Sequence, residues 1–342
     1  MPAPNGESGA LPKVRVLGTG GTMAHVAADR LDFVLYSARG TTIGIDEMLL
    51  RVPEVARVAR VEAEQFFQES ARNYLGPAEW PRLARRCTEL LEGDPDLAGI
   101  AITHGSAFVE ETAYFLNLTV KSARPVVLTA SQRPQESLSS DADANLVDAI
   151  RVAAAPGSRG RGALIVMNNE IHAAREATKS NTFRLETFHP KELGFLGYAD
   201  SDGEVIYYRA VERRHTTGTE FNAAGLDELP HVDVLSVHAG ADGGLVAPAV
   251  EHGAAGLVIA AAGAGSMPPA FVEAAAAAVA RGVPVVVASR GGNGRVVERG
   301  WMRRQGLVCA DNLTPQKARV LLMLGLTRTR DREALQRMYD VY

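Results

Sequence analysis

Lysine is the scarcest charged residue in this chain. Of 36 basic side chains only five are Lys (Lys13, Lys121, Lys179, Lys191 and Lys317), so Arg supplies nearly every fixed positive charge. A Lys kept against that trend marks a place where a removable proton is useful. Cysteine is rarer still. Cys87 and Cys309 stand far apart and belong to no C-x-x-C or Cys/His cluster, which argues against a zinc site or a disulfide framework and leaves two reduced, buried thiols. No run of about 18 apolar residues occurs, which excludes a membrane-spanning helix. The opening MPAPNGESGALPKVRV lacks the basic and apolar regions of a secretory signal, so a cytoplasmic location is expected. A basic excess is missing too: 36 Lys and Arg face 40 Asp and Glu, a formal charge of −4 with a pI near 6.1. Nothing in that balance suggests an electrostatic grip on nucleic acid, which needs a basic face to displace counterions from phosphate.

What is present is an ordinary globular composition, 46% hydrophobic and 22% charged, over 342 residues. At about 150 residues per domain, two domains are expected. Short apolar runs alternate with helical patterns. Val14–Leu17, Leu97–Thr103, Pro125–Thr129 and Ala163–Met167 read as buried strands. Helices are expected from Pro77 to Gly93, with Trp80, Leu83, Cys87 and Leu90 on one face, from Glu110 to Leu118, and from Asp143 to Ala153. Asp141 and Asp143 are placed to cap the last of these. After Tyr198 the pattern fades into a polar stretch read as hairpin plus linker. A second series then runs through Val232–Val237, Gly256–Ala261 and Val283–Ala288 to helices near Thr314–Leu324 and Arg332–Tyr339. The expected fold is therefore α/β: a larger, doubly wound, mostly parallel N-terminal domain over residues 1–208, a linker over 209–229, and a smaller α/β domain over 230–342. Such sheets bind ligands beyond the carboxyl ends of their strands.

The glycine turn after the first strand matches neither phosphate-cradling fingerprint. Gly18-x-Gly20 is followed by Met23 where a dinucleotide loop needs Gly, and no G-K-[ST] follows. Hydroxyls offer another reading. Thr22, Ser70 and Ser106 lie at or near strand ends, and Lys179 sits in a polar loop where a Lys of lowered pKa could remove a hydroxyl proton. Any single Ser or Thr there more often caps a turn; the combination carries the weight. His104 reads as a structural histidine, and His172 and His189 lack the partners of a metal site.

The combination resembles a family. Leu17-Gly18-Thr19-Gly20-Gly21-Thr22-Met23-Ala24, and Ile102-Thr103-His104-Gly105 with Glu110-Glu111-Thr112-Ala113-Tyr114, are similar to the two signature blocks of bacterial-type L-asparaginases and glutaminases. Gln132-Arg133-Pro134, Val166-Met167-Asn168-Asn169, Thr178-Lys179-Ser180-Asn181-Thr182 and Asn312-Leu313-Thr314-Pro315-Gln316-Lys317-Ala318-Arg319 extend the likeness along the whole chain. The resemblance implies a two-domain, threonine-nucleophile amidohydrolase acting on a small molecule without a cofactor or metal. It also implies a homotetramer, a dimer of dimers, with sites at the dimer interface. In its terms Thr22 is the nucleophile and Tyr36 sits over it. Ser70 holds a substrate carboxylate, and Ser106 with Lys179 forms the second catalytic group. Gly21 keeps side chains out of the substrate's way.

Departures from the family gather in the site. The family's order His-Gly-Thr-Asp-Thr is replaced by His104-Gly105-Ser106-Ala107-Phe108, which removes an Asp that accepts the substrate's α-ammonium and partners the lysine. Ser70 is followed by Ala71 and Arg72, and Ala264 stands where a neighbouring subunit normally supplies Asn. Glu298 and Asn293 are candidates for reaching a neighbour's site. Without its carboxylate a desolvated ammonium costs several kcal/mol, roughly 10² to 10⁴ in affinity. Three readings stay open: an amidohydrolase for a modified or bulkier amide, a reassigned enzyme for acyl transfer, cyclisation or elimination in specialised metabolism, and a non-catalytic homologue.

Overall fold

The computed structural model describes residues 10–67 and 74–342; Ser70, Ala71 and Arg72 lie outside the described residues. The first sheet contains β1 (Lys13–Gly18), β2 (Arg60–Gln65), β3 (Leu97–Thr103), β4 (Val126–Thr129), β5 (Ala163–Met167), β6 (Glu170–Ala173), β7 (Gly197–Ala199) and β8 (Val205–Tyr207). Its order is β8-β7-β6-β5-β4-β3-β1-β2. Strands β2 to β5 and β1 run parallel, and β6, β7 and β8 turn back antiparallel at one edge. The strand pairs Gly18 with Thr103 and Thr103 with Thr129, so the carboxyl ends of β1, β3 and β4 finish level. That register puts their three following loops side by side.

Both faces of this sheet are covered. Alternate residues of β3 divide between two cores, Ile100 and Ile102 on one side and Ala101 on the other. Helices α1 (Trp80–Gly93) and α2 (Val109–Thr119) pack on the first side, α3 (Ala142–Ala154) on the second. The expected face of α1 is the buried one: Trp80, Leu83, Cys87 and Leu90 all point inward. The Trp80 indole N–H donates to Thr112 Oγ1 of α2 at 2.9 Å. Pro77 precedes α1, and the proline in its first turn is Pro81. Strand β2 (RVEAEQ) carries no apolar run that would mark it in the sequence, because an edge strand needs no continuous apolar run.

The second domain has a parallel sheet ordered β9 (Val232–Ser236), β10 (Gly256–Ala261), β11 (Val285–Ser289) and β12 (Val308–Cys309). The Ala-rich α4 (Pro269–Ala280), which lacks clear periodicity, covers one side with Phe271, Ala275 and Ala278. Helices α5 (Pro315–Leu326) and α6 (Arg332–Val341) cover the other, and their core is continuous with that of α1 and α2. Burial of that shared apolar surface, at about 25 cal/mol per Å², is what joins the domains.

Polar contacts cross the same junction. Glu111 of α2 lies 3.6 Å from Arg319 of α5. Burial pushes the Glu111 carboxyl up to about 7, aided by Glu110 and opposed by Arg319 and Lys317. The folded state therefore binds more protons than the unfolded chain between about pH 4.5 and 7, and this group's contribution falls as pH rises through that window. The expected fall is on the order of 2 kcal/mol. Urea unfolding of wild type and Glu111→Gln at several pH values checks it: the variant should lose that slope.

Candidate active site

At the end of β1 the chain turns sharply. Thr19 donates its backbone N–H (3.2 Å) and its hydroxyl (2.5 Å) to the carbonyl of Thr103, tying the β1 loop to the β3 loop. Gly20 and Gly21 both have φ of +86°, a conformation that suits glycine. A Cβ on Gly21 would lie 2.4 Å from the His104 carbonyl oxygen and 2.5 Å from Gly105 N. Glycine is thus demanded by the contact between the two loops as well as by φ. Thr22 follows, half-buried, and its hydroxyl meets the Tyr36 hydroxyl at 2.8 Å. Tyr36 starts a one-turn helix, Tyr36–Arg39, and stands edge-on to His25 at 5.5 Å between ring centroids. Gly21→Ala should force the loops apart, lowering stability by roughly 1–3 kcal/mol and displacing Thr22. A drop in melting temperature with a larger loss of amide turnover is the expected pair of results.

The loop after β3 carries Ser106, which is buried, next to Gly105. Lys179 reaches it from the short strand Thr178–Lys179, with Nζ donating to Ser106 Oγ at 2.7 Å. The same Nζ donates to Gln132 Oε1 at 3.0 Å. Among the described residues no carboxylate bonds this amine. Burial lowers the Lys179 pKa, while the more distant charges of Asp141 and Glu110 raise it. The Lys179 backbone N–H donates to Glu110 Oε1 at 3.3 Å. Beneath it Lys317, fully buried, donates to the carbonyls of Arg175 (3.1 Å) and Ala177, fixing the chain that leads into Thr178. Burial draws Lys317 down to about 8.

Asp141 corrects one expectation. It occupies the N-cap position of α3, yet its side chain makes no cap hydrogen bond. Its carboxylate instead accepts the backbone N–H groups of Gln132 (3.1 and 3.0 Å) and Arg133 (2.9 Å) and the Asn145 amide (3.0 Å). The pull of two N–H donors in the β4 loop outweighs the local cap, and it fixes the turn that presents Gln132. Asp143, expected to share the capping, lies within the first turn of α3, where burial raises its pKa.

Ala107 and Phe108 follow Ser106 and are exposed; the Phe108 ring lies 5.0 Å from that of Tyr74. Ala264 and Asn293 are exposed in second-domain turns. Glu298 is held within its own domain by Arg332 and by Arg303 at 3.6 Å. His104 Nδ1 pairs with the Gly105 carbonyl at 2.9 Å, and burial lowers its pKa to about 4, so the ring is neutral. Cys87 and Cys309 are free and buried. Among the described residues no cluster of His, Cys, Asp or Glu is placed to hold a metal, and no helix is long and apolar enough to cross a membrane. In the sequence Gln132 stands out only as part of the motif Gln132-Arg133-Pro134. Its sole separate signal was a polar residue just beyond a buried strand.

Known proteins are similar to this chain along nearly all of its length. Residues 13–213 match the family model described as "Asparaginase, N-terminal", and residues 231–339 match "Glutaminase/Asparaginase C-terminal domain". The chain is 40% identical over 332 residues to "L-asparaginase 2" of Bacillus subtilis (strain 168), covering 97% of this chain and 87% of that one. It is 34% identical to "Glutaminase-asparaginase" of Pseudomonas fluorescens biotype A, covering 97% and 91%. A solved structure described as that of "Probable Cytoplasmic L-asparaginase from Campylobacter jejuni" superposes with a TM-score of 0.88 at 35% identity, covering 97% of this chain and all of that one. The chain belongs to the bacterial-type L-asparaginase and glutaminase family, a family of hydrolases that act on the carbon–nitrogen bonds of amides.

Proposed function

We propose that this protein hydrolyses the amide of a modified or bulkier substrate, one without a free α-ammonium, rather than free L-asparagine. The observation that carries this reading is the company Lys179 keeps. Its amine contacts a hydroxyl and a carboxamide, and Ala107 stands where the resemblance places the carboxylate that would receive an α-ammonium. A charged amino group brought there would lose water without gaining a counterion. An acylated nitrogen carries no such cost, and the exposed Phe108 and Tyr74 rings offer apolar surface close by.

In this reading Thr22 Oγ1 attacks the amide carbonyl and its proton leaves through the Tyr36 hydroxyl that it touches. Backbone N–H groups of the glycine turn stabilise the oxyanion. The C–N bond then breaks with protonation of the leaving nitrogen, and water hydrolyses the acyl-threonine to free acid. Ser106 and Lys179 form a second hydroxyl–amine pair, with Lys179 the group that accepts and returns a proton. In this scheme substrate binding is assigned to Ser70, Ala71 and Arg72, together with Gly21, Ala107 and Phe108. The working unit is a cytoplasmic homotetramer with sites at its dimer interface, built from an N-terminal domain (1–208), a connector (209–229) and a C-terminal domain (230–342). Neither nucleic acid nor membrane takes part. The resemblance supports the assembly, and the Campylobacter neighbour carries the word cytoplasmic in its description.

Ammonia release across a panel of N-acyl asparagines and glutamines, dipeptide amides and free asparagine tests the reading. Turnover confined to amides lacking a free α-ammonium supports it, and turnover of free asparagine at equal or higher kcat/KM overturns it.

A further inference from the structure

We propose that Gln132 is a positioning residue for Lys179, its side-chain oxygen supplying the uncharged acceptor that aims the amine at Ser106. This rests on the catalytic reading of Lys179 given above. The geometry has three parts. Gln132 Oε1 accepts from Lys179 Nζ at 3.0 Å, while the same Nζ lies 2.7 Å from Ser106 Oγ, so two acceptors fix the direction of the amine. Gln132 is itself held: it is 9% exposed, and Asp141 grips its backbone N–H and that of Arg133. Finally, the orientation of the carboxamide follows from chemistry. Nε2 is buried with no acceptor among the described residues, but the opposite flip would set an NH₂ group against the amine's own N–H donors.

An uncharged acceptor and a carboxylate can both orient a lysine, but they act differently on its proton. A carboxylate in contact with Nζ favours the ammonium strongly and holds the proton to high pH. A carboxamide gives the same direction with much less bias toward the charged form. The charged groups that act on Lys179, Asp141 and Glu110, stand off without touching Nζ. Burial then works against the ammonium with no carboxylate in contact with Nζ to offset it, and the amine becomes available as a base at lower pH. When it is neutral, the Ser106 contact reverses and the hydroxyl donates to Nζ.

The scarcity of lysine makes a direct test practical. A protein labelled with ¹³C at lysine Cε has five resonances, one for each Lys, and Lys179→Met assigns the one of interest. Gln132→Glu should raise the titration midpoint of Lys179 by about one pH unit or more, because a carboxylate replaces the carboxamide. Gln132→Met, of similar size with only a weak thioether acceptor, should lower it by about half a unit. Melting curves accompany both variants, and either one that folds suffices for the titration. With an active amide, Gln132→Met should lower kcat about tenfold with little change in KM, and Gln132→Glu should move the acid limb of the pH–rate profile upward with the midpoint. Midpoints within about 0.2 units of wild type in the folded variants overturn the proposal. The catalytic reading fails separately, if Lys179→Met retains full turnover, since the NMR midpoint does not depend on activity.

Discussion

Replacing Thr22 by Ala lowers kcat by roughly 10³-fold or more on whichever amide the enzyme turns over, with a small change in KM and in melting temperature. The size follows from position. Thr22 sits at the one place where the β1 loop, the β3 loop and Tyr36 meet, and Gly21 is pressed so close to His104 and Gly105 that the hydroxyl has little freedom to relocate. Removing it leaves no second hydroxyl in contact with Tyr36 among the described residues. Steady-state ammonia release from the purified variant checks this. Thr22→Ser should recover part of the rate, because it keeps the hydroxyl and loses only a methyl group. A raised KM with kcat unchanged would instead make Thr22 a binding group.

The strand ladder was legible from short β-branched runs because a parallel sheet covered on both faces needs nearly continuous apolar strands. Leu97–Thr103, Ala163–Met167 and Gly256–Ala261 have the same bounds in the sequence reading and in the fold. Edge strand β2 and the Ala-rich α4 carry weaker patterns, and neither could be seen that way. Of the site, Thr22, Tyr36, Ser106 and Lys179 could be named from motifs, and the structure pairs Thr22 with Tyr36 and Ser106 with Lys179. Gln132 and Asp141 could not, because their importance depends on partners 47 and 9 residues away. A helix-capping Asp and an Asp gripping a neighbouring loop look alike in one dimension; only the competition between their N–H donors separates them.

The second large effect comes from putting a carboxylate back. Ala107→Asp places a negative charge one residue from Ser106, where Lys179 and a substrate amino group would both feel it. Two consequences are expected together. Free asparagine gains a counterion for its ammonium, which should raise its kcat/KM by roughly 10²-fold or more, the equivalent of about 3 kcal/mol. Lys179, now beside a carboxylate, keeps its proton to higher pH, so the acid limb of the pH–rate profile moves upward. Ala107→Asn controls for size: it should shift neither the pH profile nor the preference to the same extent.

The measurement that bears most directly on the whole account is kcat/KM for asparagine and for N-acetylasparagine, taken side by side on wild type and on Ala107→Asp. The expected result is that wild type prefers the acetylated amide and that the variant shifts the ratio toward free asparagine by roughly 10²-fold. Wild type favouring free asparagine, with a ratio indifferent to the substitution, would contradict it.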